Sequence, residues 1–197
     1  MFEMFFAKII TRVLSTNLFV RLFFGIRPKK NNVEFQIGFS TIIMIKALNK
    51  HANKKSRILD IGTGPLAIHA VWLIKNIGCY VVATEINEAY IENAKKVAMI
   101  NHVKLNIVKS DLFNNIKGNF DIAIFNPPIS NKHIDNSYVT TGQFLKESPK
   151  LKILLAVNRF YVDFNKIENL IRYNKYKITD VVTSFLNPAR VYAIEKI

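Results

Sequence analysis

A chain of 197 residues, half of them hydrophobic and 21% charged, holds apolar material for one well-buried core and too little for two. Its single cysteine excludes an internal disulfide framework and a cysteine-based zinc knuckle, and predicts a reducing, cytoplasmic setting. The formal net charge of +14 predicts a polyanionic partner, nucleic acid or an acidic membrane surface, with simple solubility as the plainer use of the same charge.

The basic excess is concentrated early. Residues 1–56 carry ten Lys and Arg against Glu3 and Glu34, whereas the remainder holds 18 basic and 12 acidic side chains. The amino-terminal third is therefore the segment expected to touch phosphate. Phe2, Phe5, Phe6, Ile9, Ile10, Val13 and Leu14 recur at helical spacing, with Lys8, Arg12 and Ser15 elsewhere on the wheel. That pattern predicts an amphipathic helix whose apolar stripe packs on the domain, a second subunit or a partner protein. No uncharged run there approaches the roughly 20 residues of a bilayer span, and Glu3 without a small-residue cleavage site speaks against a signal peptide. Residues 18–26 continue apolar, and Arg27, Pro28, Lys29, Lys30, Asn31 and Asn32 read as a basic turn. The chain thus divides into an extension and lid over 1–53 and a folded domain over 54–197.

From Lys54 onward, strands and helices alternate. Strands are predicted at Arg57 to Ile61, Tyr80 to Thr84, Lys104 to Val108 and Phe120 to Phe125, with helices from Leu66 to Asn76 and from Glu88 to Asn101. The second helix sets Glu92 four residues before Lys96, a stabilising spacing. The near-continuous apolar run at 120–125 fits a strand buried on both faces, stopped by Asn126, Pro127 and Pro128. A loop is expected from Ile129 to Lys150, a fifth strand at Lys152 to Val157, and a helix at Asn165 to Tyr173. Two last strands, Ile178 to Phe185 and Arg190 to Ile197, have a joint short enough for a hairpin at the sheet edge. The order predicts an open, mostly parallel sheet with ligands beyond the carboxyl ends of its strands.

Chemistry-bearing residues cluster at those ends. Asp60-Ile-Gly62-Thr63-Gly64 permits a tight turn and close backbone approach before a helix start. Read as Gly62-x-Gly64-x-x-Ala67 with Glu85 about 20 residues on, the loop also fits a dinucleotide fingerprint, so NAD stands as an alternative at this point. Asn126 and Pro127 offer an amide oxygen and a carbonyl held by a rigid Pro-Pro step. Two acceptors match the two N–H groups of a planar amine, fix its orientation and let its lone pair turn toward an electrophile. The same residues also suit a loop that merely ends a strand.

With an acidic residue closing each of the first three strands (Asp60, Glu85, Asp111), the chain resembles the class I S-adenosylmethionine-dependent methyltransferases, in the amino-group branch marked by Asn-Pro-Pro. The resemblance implies a Rossmann-like α/β fold: a seven-stranded, mostly parallel sheet with a C-terminal antiparallel hairpin and helices on both faces. It implies that Asp60, Gly62, Thr63 and Gly64 border the methionine part of S-adenosylmethionine, that Glu85 with Ile86 meets the ribose, and that Asp111 with Leu112 meets the adenine. It also implies that Asn126, Pro127, Pro128 and Ile129 form the loop that holds the substrate amine. Val82-Ala-Thr-Glu85 and Asn93-Ala-Lys-Lys96 are similar to RNA adenine methyltransferases. Asp111-Leu-Phe113 with Asn-Pro-Pro is similar to release-factor glutamine and ribosomal guanine methyltransferases. Structured RNA, ribosomal RNA first, is the partner this resemblance implies, a reading that the charge of +14 supports, beside a glutamine amide or a silent RNA-binding subunit.

Ile129 stands where the family has an aromatic residue, so Phe39 or Tyr138 would supply the stacking ring, or the substrate differs. His51, His69, His102 and His133 lack metal-ligand spacing and read as surface or packing residues. Cys79 and Trp72 read as core, and Glu34 to Ser40 as a lid over the cofactor or a connecting turn.

Overall fold

The structure, a computed structural model, describes residues 11–28, 35–127, 134–185 and 187–197, with no side-chain description for 134–136. In chain order the elements are α1 (Asn17–Phe24), α2 (Phe39–His51), β1 (Arg57–Ile61), α3 (Ile68–Asn76), β2 (Tyr80–Glu85), α4 (Glu88–Ile100), β3 (Asn106–Lys109), β4 (Ile122–Phe125), α5 (Ile134–Glu147), β5 (Lys152–Asn158), α6 (Phe164–Tyr173), β6 (Tyr176–Val182) and β7 (Ala189–Lys196).

The strands form one seven-stranded sheet in the order β3-β2-β1-β4-β5-β7-β6. The first five run parallel; β7 is antiparallel to β5, and β6 is antiparallel to β7. The C-terminal hairpin folds back so that its second strand lies inside the sheet and β6 forms the edge. Side chains alternate between two cores, as a period of two requires. Ile122 and Ile124 of β4 and Leu154 and Ala156 of β5 face one cluster. Ala123, Phe125, Ile153, Leu155 and Val157 face the other.

The helices cover both faces. Ile43, Met44, Ala47 and Leu48 of α2 are buried in the cluster that holds Trp72 and Cys79. In α1, Val20 and Phe24 are buried while Leu18 and Leu22 are exposed; Gly25, left-handed at φ 66°, ends the helix. The amphipathic helix expected near the amino terminus lies mostly outside the described residues; 11–14 are helical, with Leu14 buried. Among the described residues no helix is long and apolar enough to cross a membrane.

Three expectations are corrected. The stretch read as a loop after Ile129 contains the 14-residue helix α5. Its pattern is largely polar, and Phe144 and Leu145 are buried only by docking into the second core. Strands β3 and β4 each begin two residues later than expected, and β6 spans Tyr176–Val182 rather than Ile178 to Phe185. Glu92 pairs with Lys95 at 3.0 Å, the i,i+3 neighbour, rather than with Lys96.

The chain builds β1, β2 and β3 outward in one direction and returns to place β4 against the other side of β1. The carboxyl ends of β1 and β4 therefore lie side by side, Ile61 opposite Phe125, with a crevice between the loops that leave them in opposite directions.

Candidate functional site

The loop after β1 is tied down by hydrogen bonds to the end of β2. The Thr63 amide donates to the Thr84 carbonyl at 2.8 Å, and the Gly64 amide to Glu85 Oε2 at 3.1 Å. Gly62 and Gly64 both lie in the left-handed region (φ 67° and 69°), and a Cβ on either would meet no atom within 4 Å. The glycines are thus required by backbone conformation, not by crowding. Thr63 Oγ1 donates to Asp60 Oδ2 at 2.6 Å. Asp60 is buried, and desolvation raises its pKa to about 7, opposed by the bonds from Thr63 and the Ala70 main chain and reinforced by the charge of Glu85.

Glu85 closes β2 at 7% exposure. Its Oε1 accepts from the Ile86 and Asn87 amides at 2.9 and 3.0 Å, while Oε2 holds Gly64. Three backbone donors fix the carboxylate plane and still leave acceptor capacity on both oxygens, suited to a pair of vicinal hydroxyls. Asn87 begins α4 by accepting from the Ala89 and Tyr90 amides. At the next strand end Leu112 adopts φ 44°, its carbonyl accepting from Ser110 Oγ at 3.0 Å.

Asn126 and Pro127, directly after β4, complete the opposite rim. Asn126 Nδ2 donates to Thr41 Oγ1 at 3.5 Å, an orientation that leaves Oδ1 as an acceptor without a partner among the described residues. Pro128 and Ile129 lie outside the described residues. Glu85, Leu112, Asn126 and the glycine loop all line one cavity of about 680 Å³, within the roughly 300–1,000 Å³ range of small-molecule sites. Asp111 and Ile86 also line it, whereas Asp60 sits beneath the loop, tied to Thr63.

The wall includes residues that sequence reasoning left aside. Of the stretch Glu34 to Ser40, weighed as a lid or a turn, residues 35–40 form one side of the cavity together with Thr41 in the first turn of α2, and Glu34 lies outside the described residues. Phe39 is in the wall; Tyr138 is not, and its hydroxyl instead accepts from the Asp163 amide at 2.7 Å. Asn158, Phe160 and Tyr161, at and after the end of β5, also line the cavity; their position beyond a strand end was the available signal. His69, read as packing, lines it too. Burial lowers the His69 pKa to about 4, opposed by the Thr41 main chain. Among the described residues no group of His, Cys, Asp and Glu has metal-binding geometry.

A glycine loop, an anchored acidic residue on β2 and an Asn-Pro rim around one cavity define the S-adenosylmethionine-dependent class I methyltransferase arrangement. Residues 34–180 match the methyltransferase small domain family, and the chain belongs to that family. It is similar to a Methanocaldococcus jannaschii protein provisionally named a protein N5-glutamine methyltransferase, 32% identical over 104 residues, covering 53% of this chain and 51% of that one. It is also similar to the ribosomal RNA small subunit methyltransferase C of Mannheimia succiniciproducens, 26% identical over 142 residues, 66% of this chain and 42% of that one. The chain therefore spans about half the length of such relatives, or less. Among solved structures it shares its fold with the Thermus thermophilus 16S rRNA N2 G1207 methyltransferase in complex with AdoMet and guanosine. The TM-score there is 0.62 at 19% identity, over 80% of this chain and 43% of that one.

Proposed function

We propose that this chain transfers a methyl group from S-adenosylmethionine to the exocyclic amine of an adenine or guanine in structured RNA, ribosomal RNA being the first candidate. The observation that carries the reading is the Oδ1 of Asn126, without a partner among the described residues, on the wall of the cavity that also holds Glu85 and the glycine loop. When bound, S-adenosylmethionine supplies an electrophilic methyl group on a sulfonium. In this reading Glu85 accepts from the ribose hydroxyls, Gly62, Thr63 and Gly64 wrap the methionine end above Asp60, and Ile86, Asp111 and Leu112 border the adenine. Asn126 Oδ1 and the Pro127 carbonyl each accept one N–H of the substrate amine and hold its lone pair in line with the methyl group. Pro128 and Ile129, next in the sequence, lie outside the described residues. Catalysis comes from proximity and orientation, with no strong base required.

Phe39, Phe160 and Tyr161 offer flat apolar surface for a base, the contact that an isoleucine at 129 does not supply. The Arg159 guanidinium sits 6.0 Å from the Phe160 ring centroid. With the net charge of +14, these features favour a polyanionic substrate presented as an unstacked base. The glutamine reading draws on the Methanocaldococcus relative, because a side-chain amide presents the same two N–H groups. Incubating the purified chain with methyl-labelled S-adenosylmethionine and either unmodified total RNA or total protein separates the two: label is expected in RNA, and label confined to protein would replace this proposal with the glutamine one.

A further inference from the structure

Helix α1 carries apolar side chains on its outer face as well as its inner one. Val20 and Phe24 are buried in the first core, yet Leu18, Leu22 and Phe23 are 67%, 75% and 51% exposed. Val13, in the short helical stretch before α1, is 57% exposed. At about 100° per residue, Leu22 points directly away from the Val20 and Phe24 side, with Leu18 one turn earlier and Arg21 to one side. Phe23 stacks on Phe19 and meets Phe24 edge-on, both at 5.0 Å between ring centroids, so the outer ring is braced by the buried one. A helix apolar all round is ordinarily covered on every side. Single exposed leucines need no explanation, but a contiguous apolar patch marks an interaction surface. The charge around this patch has one sign. Arg12, Arg21 and Arg27 are exposed and form no ion pair among the described residues. In the sequence, residues 4–33 contain six Lys and Arg and no Asp or Glu.

We infer that the outer face of α1 docks on an anionic membrane surface, Leu18, Leu22 and Phe23 entering the boundary between headgroups and acyl chains while the arginines of the segment are drawn to the headgroups. Interfacial attachment needs an apolar face flanked by Lys and Arg, not a long uncharged run, and among the described residues no helix is long and apolar enough to cross. A lipid interface supplies the apolar boundary and fixed negative charge together. The other occupants match only half of the surface. A second copy docking across a two-fold axis would set the patch against itself. That arrangement opposes the arginines of both copies with no acid in residues 4–33 to neutralise them. RNA would satisfy the arginines, but its phosphate backbone leaves Leu18 and Leu22 in water. The inference goes beyond the methyl-transfer reading and does not depend on it, so a failure to methylate RNA would leave it standing.

Flotation of the purified full chain with vesicles of phosphatidylcholine alone, or of phosphatidylcholine and phosphatidylserine in equal parts, tests it. Binding is expected to the anionic vesicles and to be weaker by about tenfold or more on the neutral ones, with high salt weakening the anionic binding. Leu18→Ser combined with Leu22→Ser should lower affinity for the anionic vesicles by about tenfold or more, and Arg21→Gln by about fivefold. Both positions of the double variant are exposed, so its thermal unfolding should match that of the wild type; Leu22→Trp gives a second reading, its indole emission shifting to the blue on anionic vesicles. A wild-type chain that does not float with the anionic vesicles, or a double variant that floats equally well, overturns the inference. Sedimentation velocity without lipid and filter binding to total RNA cover the alternatives. A dimer that the double substitution dissociates gives this face to a second copy, and RNA affinity that falls with the same substitution gives it to RNA; either result overturns the membrane assignment.

Discussion

The two rims of the cavity are built differently. On the β1–β2 side the Glu85 carboxylate accepts from three backbone amides at 2.9 to 3.1 Å, and Thr63 bridges loop and strand through Asp60 at 2.6 Å. On the β4–β5 side the Asn126 side chain is held, among the described residues, by one contact, 3.5 Å to Thr41. The first rim is organised before any ligand arrives; in the second, the described residues orient one acceptor through a single long contact. A common cofactor repays a rigid cradle, whereas any substrate must be admitted, oriented and released. The difference teaches that affinity for the cofactor and turnover of the substrate are separable properties of neighbouring strand ends.

The most forceful way to probe the rigid side is through Asp60. Its folded pKa of about 7 lies above the unfolded value near 3.8, so the folded chain binds more protons in that interval. Stability should therefore fall as pH rises from about 4 to 7, by up to roughly 4 kcal/mol. Asp60→Asn removes the titrating group, and denaturant unfolding at several pH values should show a flatter slope for the variant. Identical slopes would show that the acid is not desolvated as described. Glu85→Ala comes next: it removes the acceptor of three backbone donors and of the hydroxyl pair, and should weaken S-adenosylhomocysteine by about a hundredfold. A loss under threefold by calorimetry would break the contrast between the rims.

The loose side should respond in the opposite sense. Asn126→Ala is expected to lower kcat by about tenfold or more while S-adenosylhomocysteine affinity stays within about twofold; a parallel loss of affinity would merge the two rims into one unit. Phe160→Ala and Tyr161→Ala should have the smallest effect, raising KM for RNA by about five- to tenfold with kcat nearly unchanged, in keeping with a stacking contact. An unchanged KM in both variants would remove these rings from the substrate surface.

How much of this was legible in sequence depends on whether a signal is local. Strands β1, β2 and β4 were readable because each apolar run ends abruptly in Asp60-Ile-Gly62, Glu85 or Asn126-Pro127, and the alternation with helices implied the sheet. Helix α5 was not, because its polar stretch acquires buried contacts at Phe144 and Leu145 only after α6 and the sheet are in place. Tyr138 was a reasonable candidate for a stacking ring until the fold committed its hydroxyl to the Asp163 amide. His69 carried no motif at all. Its setting comes from a neighbour 28 positions earlier in the chain, Thr41, brought beside it by packing of α2 on the sheet and α3.

By itself, the order of residues determined the alternating α/β plan, the two left-handed glycines after β1, and the acids and the asparagine at strand ends, since each follows from short-range sterics and hydrophobic periodicity. Only the tertiary structure decided that β7 lies inside β6, that the first turn of α2 forms a wall of the cavity, and that Asp60 and His69 lose their water. Those outcomes depend on which surfaces meet across tens of residues, and desolvation has no value until they do.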